Sequence, residues 1–269
     1  MKKILTILLA VCLLAGVFAA CGSSAPASSP AEAKTFIMGI DAEYPPFSYM
    51  DEAGNYTGFD VEICRAACEK LGYTMEIFPV NWDNKLIQLD SGECDCVWSG
   101  MTILDSMKEA GYVLSAPYYD NTQVLLVKES SGYASSADLA GKDVAVQLGT
   151  SGEALLKGDL QDLASTFSQV ITCDSFLKCF TELEGGAVDA VFVDMPVAAS
   201  YVKEHEGLKV IDENLGAEQY GIAFRAGDAD LCAKVGEAVQ ALVADGTYAK
   251  IAEKPEYAEI VNNLIFLSK

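Results

Sequence analysis

From Phe36 onward, short apolar runs of strand-like composition alternate with spans whose apolar residues recur every three to four positions. That alternation marks βα crossovers and predicts an α/β fold with largely parallel sheets. In a first series, FIMGI (36–40), YTMEIFPV (73–80) and CDCVWSG (94–100) read as strands. Between them VEICRAACEKLG places Val61, Cys64, Cys68 and Leu71 at helical spacing, with Asp60 as its cap and Gly72 as its stop. A long polar loop, 41–59, precedes this helix, and WDNKLIQLDSG reads as a shorter one. A second series begins near Thr122 with the strands TQVLLVK, DVAVQLGT, QVITCD and DAVFVD, separated by helical GEALLK and SFLKCFTELEGG. PVAASYVKEHEG is the next helix, KVIDE and YGIAFR are strands, and the helices GDADLCAKVGEAVQALVADG and TYAKIAEK lead to a tail from Pro255.

Two such series in one chain of this length predict two lobes with a cleft between them. In open α/β sheets ligands sit at the carboxyl ends of strands. The positions that meet this rule are Asp41 to Phe47, Trp82, Ser99 to Thr102, Gly149 to Gly152, and Asp194. None of them forms a Walker loop or a GxGxxG turn, so a nucleotide site has no support. The turn SGMTILDSMKEAG (99–111) leaves a strand for a short helix and is the kind of turn whose backbone N–H groups suit an anion, yet the two arginines, Arg65 and Arg225, lie elsewhere.

The amino terminus is a separate matter. Two lysines, an apolar run from Ile7 to Ala20 and a Ser/Ala/Pro spacer after Cys21 read as a secretory signal peptide over 1–20. The run is shorter than the roughly 20 apolar residues of a stable membrane span. Ala19 and Ala20 before Cys21 resemble a bacterial lipobox, which implies that Cys21 carries a lipid and that 21–35 is a flexible tether. With Lys2 and Lys3 removed, 16 basic residues face 39 acidic ones. Such a balance argues against nucleic acid and anionic lipid surfaces as partners. With Cys12 removed and Cys21 committed to lipid, seven cysteines remain, an odd number that argues against an obligatory disulfide framework. A four-thiolate zinc site from Cys64, Cys68, Cys94 and Cys96 is conceivable, but neither spacing is CxxC, and buried apolar roles are the expectation. His205, among charged residues, reads as solvated.

Seven blocks in order resemble one family: GIDAEYPPFSYMDEAGNYTGFDVEI, NWDNKLIQLDSGECDCVWSGMTI, PYYDNTQVLLVK, LAGKDVAVQLGTSGE, VDAVFVDMPVA, YGIAFR and ADGTYAKI. This is the family of extracytoplasmic solute-binding proteins that serve polar amino acid ABC transporters. The resemblance implies a two-lobed clamshell, each lobe a mostly parallel sheet flanked by helices. One lobe would take 36–122 with 217–269 and the other 123–216, with hinge strands near Asn121 and Tyr220. It implies a monomer, lipid-anchored on the outer face of the cell membrane, that closes on a small polar solute and passes it to a permease and its ATPase, with no cofactor, metal or catalysis.

Carried over residue by residue, Asp41 would face the ligand side chain, with Tyr44 and Trp82 as walls on either side. The backbone at Ser99 and Gly100 and the hydroxyl of Thr102 would line one lobe's face. Thr150 and Ser151 would offer donors to an α-carboxylate, and Asp194 would accept an α-ammonium group. The family pattern then places a carboxylate-gripping arginine five residues beyond the threonine, where this chain has Met107. Three explanations stand. Lys108 or Lys85 supplies a single point charge; the ligand lacks a free carboxylate, which is slightly preferred because Asp41 and Asp194 both remain; or Met107 packs against an apolar ligand group while Ser151 and the helix start hold the carboxylate. An ammonium-bearing solute is the expectation common to them. The rival functions are a solute sensor for a separate partner chain and a dehydratase on the same scaffold, the latter lacking a histidine near the cleft.

Overall fold

The computed structural model describes residues 34–267. The signal peptide, Cys21 and most of the tether lie outside these residues. β1 (Thr35–Ile40) starts the chain of elements, and its six residues pair in parallel with β5 (Thr74–Pro79). The loop between β1 and the first helix holds a small antiparallel sheet of β2 (Glu43–Tyr44), β3 (Ser48–Met50) and β4 (Tyr56–Thr57). Helix α1 (Phe59–Leu71) follows, capped by Gly58 at its start and Gly72 at its end. Asp60 is therefore inside the helix and fully buried, not its cap. After β5 come α2 (Lys85–Ser91), β6 (Cys96–Thr102), the short α3 (Asp105–Glu109), β7 (Val113–Leu114) and β8 (Tyr119–Lys128).

The second series runs β9 (Asp143–Gln147), α4 (Ser151–Lys157), α5 (Gln161–Ala164), β10 (Gln169–Cys173), α6 (Phe176–Gly185), β11 (Ala190–Asp194), α7 (Met195–Glu204) and β12 (Leu208–Ile211). Then β13 (Ala217–Phe224), α8 (Ala229–Ala244) and α9 (Thr247–Ala252) complete the chain of elements.

The strands lie in the order β10-β9-β11-β8-β13-β6-β1-β5. Pairing is parallel in β10-β9-β11 and in β6-β1-β5, and antiparallel wherever β8 or β13 takes part. These two strands make the two-lobed fold. Tyr119 to Thr122 of β8 pair with Tyr220 to Ala217 of β13, and beyond that stretch β8 turns to β11 and β12 while β13 turns to β6. Helices cover both faces of the sheets, so central strands such as β6 and β11 are buried along their whole length. Helix α8 packs against α1 and extends that core.

The cysteines fall into this core: Cys64, Cys68, Cys94, Cys96, Cys173 and Cys179 are buried and Cys232 is half-buried, all as free thiols. Among the described residues no group of three or more histidine, cysteine or acidic side chains is placed to hold a metal ion. Among the same residues no helix is long and apolar enough to cross a membrane. His205 is only partly solvated, because its ring stacks on Tyr201 at 3.8 Å and its Nδ1 lies 2.8 Å from Glu184 Oε1.

Candidate functional site

The strand ends converge as the carboxyl-end rule requires. Tyr44, Trp82, Gly100, Thr102, Thr150, Ser151 and Asp194 line one cleft, together with Lys85, Met101, Leu104 and Gly149. The cleft is nearly shut, enclosing about 30 Å³. Contacts across it are direct: Thr102 Oγ1 donates to Ser151 Oγ at 3.2 Å, and Gln147 Nε2 donates to Asp41 Oδ2 at 2.8 Å. Admission of a solute the size of an amino acid requires the two sides to part, as hinge closure in reverse.

Two glycines let these surfaces approach. Gly100 has φ +56°, and a Cβ there would sit 2.4 Å from Tyr44 Cε1. Its N–H is committed to Asp60 Oδ2 at 2.8 Å, so this donor of the 99–111 turn serves the fold and is not free for an anion. Gly149 has φ +74°, and a Cβ there would meet Asp83 Cα at 2.6 Å, which fixes how closely the loop after β9 lies on the loop before α2.

Three of the ten expected ligand contacts lie off the cleft lining. Ser99 turns its hydroxyl inward, accepting from Asp41 N at 3.0 Å and sharing a hydrogen bond with Ser48 Oγ at 2.5 Å. Asp41 is buried behind the cleft, held by Gln147 and by Glu43 N at 2.9 Å; burial raises its pKa and the Gln147 bond partly offsets this. Met107 sits on α3 with its side chain 3% exposed, packed with Leu89, Val97, Met101 and Ala223. It is a core residue in the same cluster as Met101 and does not line the cleft.

The cation in the cleft is Lys85. Its Nζ donates to Trp82 O at 3.0 Å and to Gly149 O at 2.7 Å, and it lies 4.7 Å from the centre of the Trp82 ring. Trp82, which sequence assigns to a ligand, thus already carries the protein's own ammonium over its ring. Burial pulls the Lys85 pKa down to about 8, against the pull of Asp83, Asp41 and Glu153. An ammonium has three donors, and two are spoken for by carbonyls, leaving one for an incoming acceptor.

The facing acid is Asp194, at the end of β11. Its Oδ1 accepts from Asn121 Nδ2 at 2.6 Å, Gln123 Nε2 at 2.8 Å and the Tyr220 hydroxyl at 2.8 Å. Burial, then the charge of Glu218, push its pKa up to about 8, with the Tyr220 hydrogen bond acting the other way. The same two amides also donate to Glu218 Oε1, at 2.7 and 3.0 Å. Tyr220 continues the chain of hydrogen bonds to Tyr44, 2.8 Å between hydroxyls. This belt of Asn121, Gln123, Glu218 and Tyr220 on the two shared strands escaped the sequence reading as a site. The signal was there: Asn121 and Gln123 are polar residues alternating with Asp120 and Thr122 at the start of β8, and both are buried.

Comparison with known proteins places this cleft in a family. The family model "Bacterial extracellular solute-binding proteins, family 3" matches residues 36–255, and the chain belongs to that family. Among curated relatives, the L-cystine-binding protein TcyJ of Escherichia coli K12 is 34% identical over 226 residues, covering 83% of each chain. Among solved structures, an ABC uptake transporter substrate-binding protein from Streptococcus pneumoniae with bound histidine superposes with TM-score 0.78 at 28% identity, covering 81% of this chain and 91% of that one. The ancestral amino acid-binding protein AncCDT-1, a precursor of cyclohexadienyl dehydratase, superposes with TM-score 0.73 at 35% identity, covering 81% and 94%.

Proposed function

We propose that this chain is the capture component of an ABC importer, anchored through a lipid on Cys21 at the extracytoplasmic face, and that its ligand is a free α-amino acid. The lobes, 36–122 with 217–269 and 123–216, would part at the β8 and β13 strands, close on the solute and present it to a permease and its ATPase. The observation that carries this reading is the presence in one cleft of a buried amine with a donor to spare, Lys85, and a buried carboxyl, Asp194. A zwitterion fits both. Its carboxylate takes the third donor of Lys85 with the Ser151 hydroxyl beside it, and its ammonium takes Asp194. Of the three explanations for the missing arginine, this supports a lysine point charge, and specifically Lys85, since Lys108 is exposed and paired with Asp105 at 2.9 Å. The relatives named for cystine and histidine bear on the ligand class, and the apolar lining of Trp82, Met101 and Leu104 suits a side chain that is not acidic.

The dehydratase reading has less to stand on, because His205 lies at the end of α7 against Glu184, away from the cleft lining. A thermal-shift screen of the mature domain against amino acids, their α-amides, dipeptides and polyamines tests the proposal. Ligand at about 100 times Kd stabilises by about 2.7 kcal/mol, a readily seen shift. Free amino acids should shift the transition more than their amides at equal concentration. Shifts from amides or polyamines alone would reject the carboxylate contact, and no shift from any solute would reject capture.

A further inference from the structure

Strand β8 lies between β11 and β13 in the strand order, with its Gln123 opposite Asp194 of β11 and its Asn121 opposite Glu218 of β13. Residues two apart on a strand point to the same face. The two acids therefore reach over the same two amides from either side. Asn121 Nδ2 donates to both Asp194 Oδ1 and Glu218 Oε1, and Gln123 Nε2 donates to the same two oxygens, all four bonds being 3.0 Å or shorter. An amide nitrogen has two hydrogens, so both amides are fully used.

Neutral amides offset no charge. Among the described residues no lysine, arginine or histidine forms an ion pair with either acid. The other titratable groups facing Asp194 are phenols, Tyr44 of β2, Tyr119 of β8 and Tyr220 of β13, each pushed by burial well above its ordinary range. Lys85, the cation lining the same cleft, is held by Trp82 O and Gly149 O. Asp105, Asp120 and Asp159 share with Glu218 the walls of two surface grooves and add only negative charge. Two carboxylates on one set of donors repel, and such a pair retains a proton that a lone acid would lose. Burial decides which acid holds it. Asp194 is 4% exposed, whereas Glu218 is half-buried and reaches both grooves, so the proton sits on Asp194 and the charge on Glu218.

We propose that Glu218 is a positioning residue that holds a proton on Asp194 before capture, and so makes capture an exchange: one proton leaves for each ammonium that enters. The proposal rests on the reading above that Asp194 takes the ammonium of the solute. In the exchange the Asp194 O–H bond breaks and its electron pair stays on the carboxylate that meets the ammonium. The proton passes to water along the grooves that Glu218 lines. Glu218 itself does not line the cleft, so it acts through Asp194 and not on the solute.

Two measurements on the mature chain test this. Calorimetric titration of L-arginine and L-glutamine at pH 6 and 7, in buffers of differing ionisation enthalpy, counts the protons released; neither side chain titrates in that range. The carbon-13 shift of the Asp194 carboxyl against pH, without solute, reads the held proton directly. The expected result is close to one proton released per solute at pH 6 and a carboxyl that titrates near 8. Glu218→Gln keeps an acceptor for both amides and removes the charge. The Asp194 carboxyl should then titrate at clearly lower pH, and the proton count at pH 7 should fall to about half or less of its former value. Glu218→Ala takes the place of Glu218→Gln if the latter does not melt cooperatively. Capture without proton release overturns the proposal, as does a folded Glu218 variant whose Asp194 titrates where it did before. Asp194→Asn separates the two readings. Weakened binding in that variant, with an Asp194 titration unmoved by Glu218→Gln, rejects the role of Glu218 alone; unchanged binding in Asp194→Asn, or no binding of either solute by the unsubstituted chain, rejects the ammonium contact and the exchange together.

Discussion

Replacing Lys85 by methionine keeps the length and bulk of the side chain and removes its charge. Two effects must be separated, because Nζ both clasps Gly149 O at 2.7 Å across the cleft and offers a third donor to a ligand. Loss of a hydrogen bond to a charged group typically costs about 1.5–3 kcal/mol, or roughly a tenfold to hundredfold loss of affinity. Loss of the clasp weakens closure on every ligand alike. Calorimetric titration with the best amino acid from the screen and with its α-amide distinguishes the two. Lys85→Met should weaken the amino acid about tenfold to a hundredfold and the amide no more than about threefold, since the amide brings no charge for Lys85 to meet. Equal losses for both would reduce Lys85 to a clasp and refute the carboxylate contact. No loss for either would refute any role for it in binding.

The pH profile of affinity carries the sign of both cleft groups. Asp194 holds its proton up to about pH 8 and must release it to an ammonium ligand, so affinity should climb about tenfold per unit below pH 8. Lys85 loses its proton above about pH 8, so affinity for a carboxylate should fall on the alkaline side. Titrations from pH 5 to 10 should give a maximum near 8, and a flat profile would remove both assignments. In the ligand-free chain, Asp194 binds its proton more tightly folded than unfolded; its contribution therefore lowers stability as pH rises from about 4 to about 8, a decline that Asp194→Asn should abolish in urea melts. Tyr220→Phe removes a hydrogen bond that favours the ionised Asp194, so the acid limb should move to higher pH and affinity at pH 7 should drop. Gly100→Ala forces a Cβ to 2.4 Å from the Tyr44 ring at φ +56° and should cost about 1–3 kcal/mol by denaturant titration; an unchanged midpoint would mean the turn is free to relax.

Periodicity was enough to find the long elements. The βα alternation, with glycines ending α1, α2 and α6, is local information, and Gly72, Gly92 and Gly186 take the left-handed conformation that such stops need. Strands of two or three residues carry no period, so β2 to β4 stayed hidden in a polar loop. Asp60 has the look of a cap because the residue is common there, but its position was decided by a tertiary partner, the Gly100 N–H 40 residues away. The strand-end rule points to Trp82, Thr102, Thr150, Ser151 and Asp194, and these five line one cleft. It could not say which way a side chain faces on a short helix: Met107 of α3 faces the core, while Lys85 of α2 faces the cleft. The amide belt around Asp194 rests on two strands almost a hundred residues apart, a pairing of Asn121 with Glu218 that no local pattern encodes.

Capture of an ammonium group by Asp194 is most directly tested by one measurement, the affinity of Asp194→Asn for the screened amino acid at pH 8. Asparagine keeps the shape and can still accept from Asn121, Gln123 and Tyr220, but it cannot carry the charge. Truncating one side of a buried charge pair costs about 2–5 kcal/mol, so the dissociation constant should rise at least about thirtyfold. An unchanged dissociation constant in a variant that melts normally would contradict it.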